Sequence, residues 1–384
     1  MKKVPIDALV EVLSGFAFKS HHFNAEERGL PVIRIRDVKR GYSETYSEEK
    51  FDPKFKITAG DILIGMDGEF NCAKWEGKDA LLNQRVCRIQ AISRELDEQY
   101  LFWHLPKALK RIEDKSNFVT VKHLSVKQIK SIEIPLPPIG EQRRIAAILD
   151  KADAVRRKRK KAIALTEDLL RSAFLEMFGD PVMNPKGWDV MPLGKIAQIQ
   201  GGLQVTTKRK DNPIEAPYLR VANVYRDRLF LDEIKTIRVQ DSELQRTKLM
   251  AGDLLIVEGH GNREEIGRSS VWDDSIPNCT HQNHLIRVRV NAGTADPIYV
   301  SAYLNSAGGR RQLKKFGKTT SGLNTISASN VKATNVLLPP LLEQKKYLKI
   351  KQHIGKAIAC EKNNQQYSED LFNSLLQRAF RGDL

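Results

Sequence analysis

An internal duplication constrains the fold of this chain more than any other feature of its sequence. Short segments of the first half recur in the second half in the same order, and the distance between matched segments grows steadily from 186 to 206 residues. Duplication followed by small loop insertions produces such a drift. The matched segments are residues 32–35 with 218–221, 60–64 with 252–256, Gln84 and its flanks with Gln282, 100–105 with 299–304, 136–142 with 338–344, and 169–174 with 375–380.

Each half begins with a globular part, residues 1–138 in the first copy and 179–340 in the second. Short β-branched runs bounded by Gly, Asp and Asn predict strands in these parts, at 32–35, 62–64, 86–89 and 285–290. The Gly-Asp pairs at Gly60 and Gly252 predict tight turns that lead into strands. We therefore expect two similar mixed α/β domains.

Each half ends in a helical segment, residues 139–178 and 341–384. Pro137 and Pro138 suit the position just before a helix, and residues 141–177 contain neither Pro nor Gly. Apolar residues recur at three–four spacing, and a neighbouring row broadens the stripe with Ile148, Val155, Ala162 and Leu169. About 35 helical residues make a rod roughly 50 Å long.

The second copy repeats this stripe through Tyr347, Ile354, Ile358, Leu371, Leu375 and Ala379. A helix of this length cannot bury its stripe against itself, and the other copy offers a matching one. The sequence therefore predicts an antiparallel helix pair that joins the two domains with pseudo-two-fold symmetry. The alternative is that each helix folds back on its own domain.

The charge of the chain favours a polyanionic partner. The 384 residues carry a formal charge of +16, and nucleic acid is the simplest polyanion for such a protein. No apolar run approaches the roughly 18 residues that span a membrane, and the start lacks a secretory signal. We therefore expect no membrane partner. Four widely spaced cysteines without a CxxC fit a cytoplasmic setting.

This layout resembles the specificity subunits of type I restriction–modification enzymes. Those proteins have two target recognition domains, and each is followed by a helical spacer that opens with a Pro-Pro-x-x-Glu-Gln element. The Gly-Asp turns and residues 321–327 also resemble that family, and the resemblance covers essentially the whole chain. The two elements here are Pro137-Pro138-Ile139-Gly140-Glu141-Gln142 and Pro339-Pro340-Leu341-Leu342-Glu343-Gln344.

The resemblance implies a non-catalytic subunit in which each domain reads one half of a split site in double-stranded DNA. It implies docking of two adenine methyltransferase subunits on a coiled-coil-like helical region and of restriction subunits for cleavage. S-adenosylmethionine, ATP and Mg²⁺ would then belong to the partner subunits, with no cofactor and no metal in this chain. The predicted partner-binding residues are Glu141, Gln142, Glu343 and Gln344.

Basic and amide side chains are the candidates for DNA contact, because Lys and Arg bind phosphates, Arg suits guanine, and Asn or Gln suits adenine. In the first domain the candidates are Lys19, Arg34, Arg36, Lys115, Asn117 and Lys122. In the second domain they are Lys208, Arg209, Lys210, Arg220, Asn223, Lys314, Lys315, Lys318 and Thr320. Arg34 and Arg220 occupy matching places inside strand-like runs. The alternative for each is an ordinary solvated side chain.

The densest basic run is 156–161, in the middle of the first helical segment. Its position suggests contact with the DNA spacer or with an acidic subunit. A solvated helix face explains the run equally well.

A nuclease is the main alternative function. Asp61 followed by Glu76 and Lys78 resembles the Asp…Glu-x-Lys spacing that holds Mg²⁺ in many nucleases. The second copy has Asp253, but Arg268 stands 15 residues later, where Glu76 stands 15 residues after Asp61. A structural linker that binds only proteins is a further alternative.

Other chemistry has little support in the sequence. Cys279, His281 and His284, with His260, could form a zinc site, but their spacing fits no standard finger. The sequence contains no glycine-rich methyltransferase loop with an Asn-Pro-Pro-aromatic site, and it contains no phosphate-binding loop of ATPases.

Overall fold

The computed structural model describes residues 3–115, 122–320 and 322–384. The chain divides into two compact units: unit one is Met1–Lys161 with Lys362–Leu384, and unit two is Ala162–Glu361. Each unit contains one globular head, the beginning of the long helix that follows this head, and the end of the other long helix.

Head one is built mainly from short strands, with one longer helix before its last strand. Its elements are β1 Lys3–Pro5, β2 Val10–Ser14, β3 Phe23–Asn24, β4 Leu30–Ile33, α1 Ile35–Arg40, β5 Tyr46–Ser47, β6 Lys56–Ile57, β7 Ile62–Gly65, β8 Cys72–Lys74, β9 Ala80–Leu82, β10 Val86–Ala91, α2 Glu98–Lys115, α3 Val126–Lys130 and β11 Glu133–Pro135. The first long helix, α4, follows at Ile139–Phe178.

Head two follows the same plan with a longer middle section. Its elements are β12 Asp189–Pro192, α5 Leu193–Ile196, β13 Ala197–Gly201, β14 Ile214–Leu219, β15 Val224–Tyr225, β16 Arg228–Leu229, β17 Lys235–Val239, α6 Asp241–Thr247, β18 Leu254–Val257, β19 Gly259–His260, β20 Ser269–Val271, β21 Thr280–His281, β22 Leu285–Val290, α7 Pro297–Asn305, α8 Ala307–Phe316, β23 Lys318–Thr320, β24 Leu323–Thr325, α9 Ala328–Ala333 and β25 Asn335–Leu338. The second long helix, α10, spans Leu341–Arg381.

Both heads contain an antiparallel four-stranded sheet with the same topology. The strand order is β2-β10-β7-β8 in head one and β13-β22-β18-β20 in head two. The central strands β7 and β18 are buried throughout, because both faces of these strands are covered. The first and last strands of each head pair with each other, β1 with β11 and β12 with β25. The prediction of two similar mixed α/β domains is therefore confirmed.

The Gly-Asp turns before β7 and β18 are closed by their own carboxylates. Asp61 accepts a hydrogen bond from the backbone N–H of Thr58 at 2.9 Å, and Asp253 accepts one from Met250 at 2.8 Å. Gly60 and Gly252 have φ values of 101° and 89°, which favour glycine. The repeated Gly-Asp pair thus fixes the backbone that leads into the central strand of each head.

The core of unit one joins head one to both long helices. Ile145 and Leu149 of α4 pack in it together with Phe372 and Ala379 of α10. Arg144 donates a hydrogen bond to the carbonyl of Leu384 at 2.7 Å, and Arg156 pairs with Glu369 at 3.1 Å. Because the contacted residue number falls as the number along α4 rises, the two helices run antiparallel in this unit, as predicted.

The core of unit two likewise joins head two to both long helices. Phe174 and Phe178, from the end of α4, pack with Tyr347 near the start of α10 and with Tyr299 of head two. The ring of Tyr347 lies 5.5 Å from that of Phe178. Each head therefore anchors the end of the helix that follows the other head.

Details of the predicted helix stripe and strands require correction. Val155 and Leu169, expected in the apolar stripe of α4, are exposed, as is Leu371 of α10. The strand predicted at 32–35 ends at Ile33, because Ile35 opens α1. No helix within the described ranges 3–115, 122–320 and 322–384 is both long and apolar enough to cross a bilayer.

Two residue correspondences between the copies also differ from those that counting along the sequence gave. Phe16 bridges Asn83 in head one and Leu203 bridges Gln282 in head two, so Gln282 matches Asn83 and not Gln84. Trp75 and Trp272 each donate a backbone hydrogen bond to the carbonyl of the turn aspartate. Glu76 therefore matches Asp273, the residue after Trp272, and not Arg268.

Candidate nucleic-acid interface

The matching arginines Arg34 and Arg220 do not lie inside strands. Each follows the last residue of a strand and precedes a helical turn, α1 in one case and residues Val221–Asn223 in the other. The backbone N–H of Arg34 donates to Asp37 at 3.0 Å, and that of Arg220 donates to Asn223 at 2.8 Å. The same backbone bend thus presents an arginine from each head.

The guanidinium groups of these arginines have different neighbours. Arg34 Nε lies 3.6 Å from the buried carboxylate of Asp37, and Arg34 Nη2 donates to the hydroxyl of Thr45. Arg220 Nη2 lies 3.2 Å from the exposed carboxylate of Glu233. An arginine paired with an exposed carboxylate can exchange that partner for a base or phosphate more readily than one paired with a buried carboxylate.

The other candidates in head one are placed as follows. Lys19, Arg36 and Lys115 are exposed, with Arg36 Nε 3.7 Å from Asp37. Lys122 is partly buried, and its ammonium lies 3.6 Å from Glu113. Asn117 lies outside the described residues. Lys19 and Lys115 are exposed and available to phosphates, whereas Arg36 and Lys122 each lie near a carboxylate of head one.

The basic loop of head two combines two exposed lysines with one anchored arginine. Arg209 donates to both oxygens of Glu243, at 2.8 and 2.9 Å, and to the carbonyl of Gln204 at 2.6 Å. The hydrogen bond from Arg209 lowers the pKa of Glu243. Arg209 thus holds the loop, while Lys208 and Lys210 remain exposed. A DNA contact by Arg209, as predicted, would have to replace this half-buried ion pair with its two hydrogen bonds.

A second basic group lies at the end of α8. Lys315 and Lys318 are exposed, whereas Lys314 contacts Glu264 and lowers its pKa through that hydrogen bond. Thr320 ends β23, and the surroundings of its side chain lie outside the described part of the chain.

Asn223, a predicted DNA contact, is instead occupied within head two. Its side chain is buried, and its amide donates to the carbonyls of Phe230 at 2.7 Å and Glu233 at 3.1 Å. Its oxygen accepts the hydrogen bond from Arg220. Both amide donors and the carbonyl oxygen are therefore used within head two, and Asn223 fixes the backbone that carries Arg220.

The glutamines of the two Pro-Pro-x-x-Glu-Gln elements also serve their own domains. Gln142 is fully buried, accepts from the N–H of Asp97 at 2.9 Å and donates to Glu95 and Pro137 carbonyls. Gln344 is fully buried and accepts from the N–H of Asp296 at 2.8 Å. Neither of these predicted partner contacts reaches the surface, because each glutamine is used to hold its own domain against the start of the long helix.

The neighbouring glutamates are more accessible and pair within their helices. Glu141 accepts two hydrogen bonds from Arg144, at 2.9 and 2.7 Å, and this interaction lowers the pKa of Glu141. Glu343 pairs with Lys346 at 2.7 Å. Both acidic groups remain candidates for partner contact.

The basic run of α4 divides into paired and exposed residues. Arg156 pairs with Asp153 and Glu369 and lies over the ring of Phe372 at 4.3 Å. Arg157 pairs with Asp153 at 2.6 Å and with Glu76 at 2.8 Å. Lys158, Lys160 and Lys161 are exposed. Part of the run therefore stabilises unit one, and the lysines are available to a polyanion.

The residues considered for metal chemistry have other roles. Within residues 3–115, 122–320 and 322–384, no three His, Cys, Asp or Glu side chains are grouped to hold a metal ion. Cys279 and His281 are buried, and burial raises the pKa of Cys279 to about 12 and lowers that of His281 to about 4. The carboxylate of Glu76 is paired with Arg157.

The sequence reasoning missed Arg85 as a candidate. This exposed arginine adopts a φ of 71° in the turn before β10 and contacts Asp67, which also lies 2.6 Å from His123 Nδ1. Burial acts to raise the pKa of Asp67, but the hydrogen bonds from His123 and Arg85 outweigh it and the pKa is lowered. The sequence feature that could have pointed to Arg85 is its position next to Gln84, inside a segment that recurs in both halves.

Comparison with known proteins decides the family. The pattern of the family described as type I restriction modification DNA specificity domain matches residues 1–165 and 185–367. The chain belongs to this family. Its duplicated heads and long helices are thus the two copies of the specificity domain.

Relatives and solved structures of the specificity family agree with the architecture. The EcoBI specificity subunit of Escherichia coli is 27% identical and covers 100% of this chain and 86% of its own. The EcoKI specificity subunit of Escherichia coli strain K12 is 26% identical, covering 99% and 88%. The S subunit of M. genitalium has the same fold, with a TM-score of 0.60 at 15% identity over 99% of this chain and 96% of that one.

Proposed function

We propose that this chain is the non-catalytic, DNA-reading subunit of a type I restriction–modification complex, and that each head reads one half of a split site. The observation that carries this proposal is the duplicated sheet topology in a chain of the specificity family. Two similar readers on one chain suit an asymmetric site in two parts, because each reader can carry its own surface side chains.

Exposed basic side chains supply the electrostatic part of DNA binding in this proposal. Lys19, Arg36 and Lys115 serve head one, and Lys208, Lys210, Lys315 and Lys318 serve head two. Phosphate contacts of this kind give affinity without sequence preference. Arg34 and Arg220 are the proposed base readers, since the matching bends present them from both heads.

The long helices α4 and α10 set the unread spacer and bind the methyltransferase subunits in this proposal. They carry exposed large apolar side chains, which are available for contact with a partner subunit. These are Val155, Leu165, Leu169, Leu175, Leu342, Tyr367 and Leu371. S-adenosylmethionine, ATP and Mg²⁺ then bind to the methyltransferase and restriction subunits.

Footprinting of the assembled methyltransferase on its target DNA tests the split site. We expect two protected segments separated by an unprotected spacer. Arg220→Ala should relax base preference in one segment by about 1–3 kcal/mol and leave the other unchanged. Arg34→Ala is the matched variant and should affect the opposite segment. One continuous protected segment would contradict the proposal.

Shortening both helices tests the spacer role. Removal of about one turn, four residues, from the middle of α4 and of α10 shortens each by roughly 6 Å. The spacer between half-sites should change by about two base pairs, with both half-site sequences retained. An unchanged spacer would rule out the helices as the ruler.

A further inference from the structure

A groove in unit one is lined by four cationic side chains that lack acidic partners. They are Lys3, Lys107, Arg111 and Arg381. None of them forms an ion pair or a side-chain hydrogen bond with any residue within 3–115, 122–320 and 322–384. The groove has a volume of about 170 Å³, and Glu133 is the one acidic residue in its lining.

Packing of three separate elements brings these cations together. Lys107 and Arg111 lie one turn apart on α2, Lys3 lies on β1, and Arg381 ends α10. The ring of Phe380 lies 5.1 Å from that of Tyr100 and 4.7 Å from that of His104. This contact holds the end of α10 against α2, so the positive charges stay close in the folded unit.

The histidine that lines the groove adds no charge to it near pH 7. His104 is buried, and its Nε2 donates to the backbone carbonyl of Glu133 at 2.8 Å. Burial and the nearby cations Arg111, Lys3 and Lys107 lower the pKa of His104 to about 4, so the ring is neutral near pH 7. Burial, with Arg111 and Arg381, likewise lowers the pKa of Lys107.

Unit two shows that the fold does not require these cations. Tyr100 and Tyr299 donate to the carbonyls of Pro135 and Leu337, both at 3.0 Å. This shared contact shows which residues of unit two correspond to those of unit one. Val190 takes the place of Lys3 in the pairing of the first and last strands, and Leu175 follows Phe174 as Arg381 follows Phe380. Neither of these places in unit two carries a cation.

We propose that the groove of unit one binds a phosphate group, either of a DNA strand or of a free phosphate compound. Four converging Lys and Arg donors, none of them paired with Glu133, fit a tetrahedral oxyanion, which accepts several charge-assisted hydrogen bonds at once. At about 170 Å³ the groove is smaller than the roughly 300–1,000 Å³ of pockets for drug-sized ligands, and this size suits a small anion such as phosphate. Neither proposed base reader, Arg34 or Arg220, lines the groove, so this proposal does not depend on their assignment.

Titration of the purified full-length chain with inorganic phosphate, at constant ionic strength in chloride, tests the site. We expect saturable binding of one phosphate, weakened at least tenfold in K107Q/R111Q. The control K195Q/K332Q removes two exposed lysines of unit two and should bind as the wild type does. Absence of saturable binding, or equal binding by K107Q/R111Q, would overturn the proposal.

A melting measurement without phosphate separates a binding role from a folding role. Because K107Q/R111Q removes mutual repulsion, it should melt at or above the wild-type temperature, and phosphate should raise the melting temperature of the wild type alone. A lower melting temperature of K107Q/R111Q in the absence of phosphate would show that the cations stabilise the fold, and would contradict the proposal.

Salt dependence of DNA binding by the assembled methyltransferase identifies the source of the phosphate. If the groove takes a DNA phosphodiester, K107Q/R111Q should reduce the slope of log K against log salt by about 1. If it takes a free phosphate compound, the slope should stay unchanged while inorganic phosphate binding is lost. In both cases the footprint of the two half-sites remains.

Discussion

The two heads share the same sheet topology and the same backbone-fixing contacts, which we call the frame. They differ in the side chains that this frame carries. In both, an aspartate closes the turn before the central strand, a tyrosine hydroxyl binds the last strand, and a buried glutamine fixes the start of the long helix. The bend after β4 carries Arg34 beside Asp37, whereas the bend after β14 carries Arg220 beside Asn223. The backbone contact at the bend therefore recurs in both heads, while the side chain that accepts it changes from a carboxylate to an amide.

The difference extends to the ends of the long helices. Head two holds the end of α4 in a cluster of four rings, Phe174, Phe178, Tyr299 and Tyr347. Head one holds the end of α10 through Phe380, which is only partly buried, together with Phe372. Phe174 is thus buried more fully than its counterpart Phe380, and unit one places its unpaired cations beside the Phe380 contact.

The largest predicted effect concerns this pair of anchors. Phe174→Ala should lower the free energy of unfolding by about 3–5 kcal/mol, because it opens a cavity among four rings. The matched variant Phe380→Ala should cost less, since Phe380 is partly exposed. Denaturant unfolding of the full-length chain measures both, and an equal or reversed order would contradict the ranking of the anchors.

A second prediction concerns the buried histidine of each unit, His104 and His281. Burial lowers the pKa of each to about 4, so the folded chain keeps both neutral, whereas unfolded histidines titrate near about 6.5. Between pH 7 and 5 the unfolded state therefore binds more protons, and stability falls as the pH falls, by about 2 kcal/mol per histidine.

Denaturation curves of H104Q and H281Q at pH 7 and pH 5 measure this dependence. Each variant keeps one of the two histidines. The part of the stability loss between pH 7 and pH 5 that is due to histidine should therefore be about half that of the wild type, whatever the stability of the variant at pH 7. The same pH slope in the wild type and both variants would show that neither histidine is kept neutral by burial.

The glutamine anchors give a smaller effect. Gln142→Ala removes an acceptor from the N–H of Asp97 and a donor from two carbonyls, and should destabilise the chain by about 1–2 kcal/mol. Gln344→Ala should act in the same direction in unit two. Glu141→Gln is the control, because it alters only an exposed pair. If Gln142→Ala matched this control in unfolding experiments, the anchoring role would be wrong.

The smallest effect is expected at the ion pair of Glu76 with Arg157. Both side chains are largely exposed, so Glu76→Ala should change stability by less than about 1 kcal/mol. Purified chain with Mg²⁺ should not cut DNA, and cleavage by the full assembly should not respond to Glu76→Ala. Cutting by the isolated chain that is lost in Glu76→Ala would instead support the nuclease alternative.

The sequence was sufficient for the frame because its signals are local or repeated. The prolines before α4 and α10, the Gly-Asp turns and the matched segments predicted the helices and the two domains. It was insufficient for Asn223, Gln142 and Gln344, because burial depends on which distant backbone groups fold around an amide. It was also insufficient for Glu76, since loop insertions shift the register that counting assumes.

The grouping of Lys3, Lys107, Arg111 and Arg381 was beyond sequence reasoning for a related reason. Only Lys107 and Arg111 are close in sequence, and the others join them through β1 and the packing of Phe380. Long-range packing decides which charges meet, whereas spacing along a helix decides only its own face.

Sequencing of methylated adenines in cells with and without this chain tests the central claim most directly, that two heads read two separate parts of one site. With the chain present, we expect a methylated motif in two specified parts separated by an unspecified spacer of fixed length. Arg220→Ala should loosen one part alone. A motif that persists without the chain, or one continuous motif, would contradict the account.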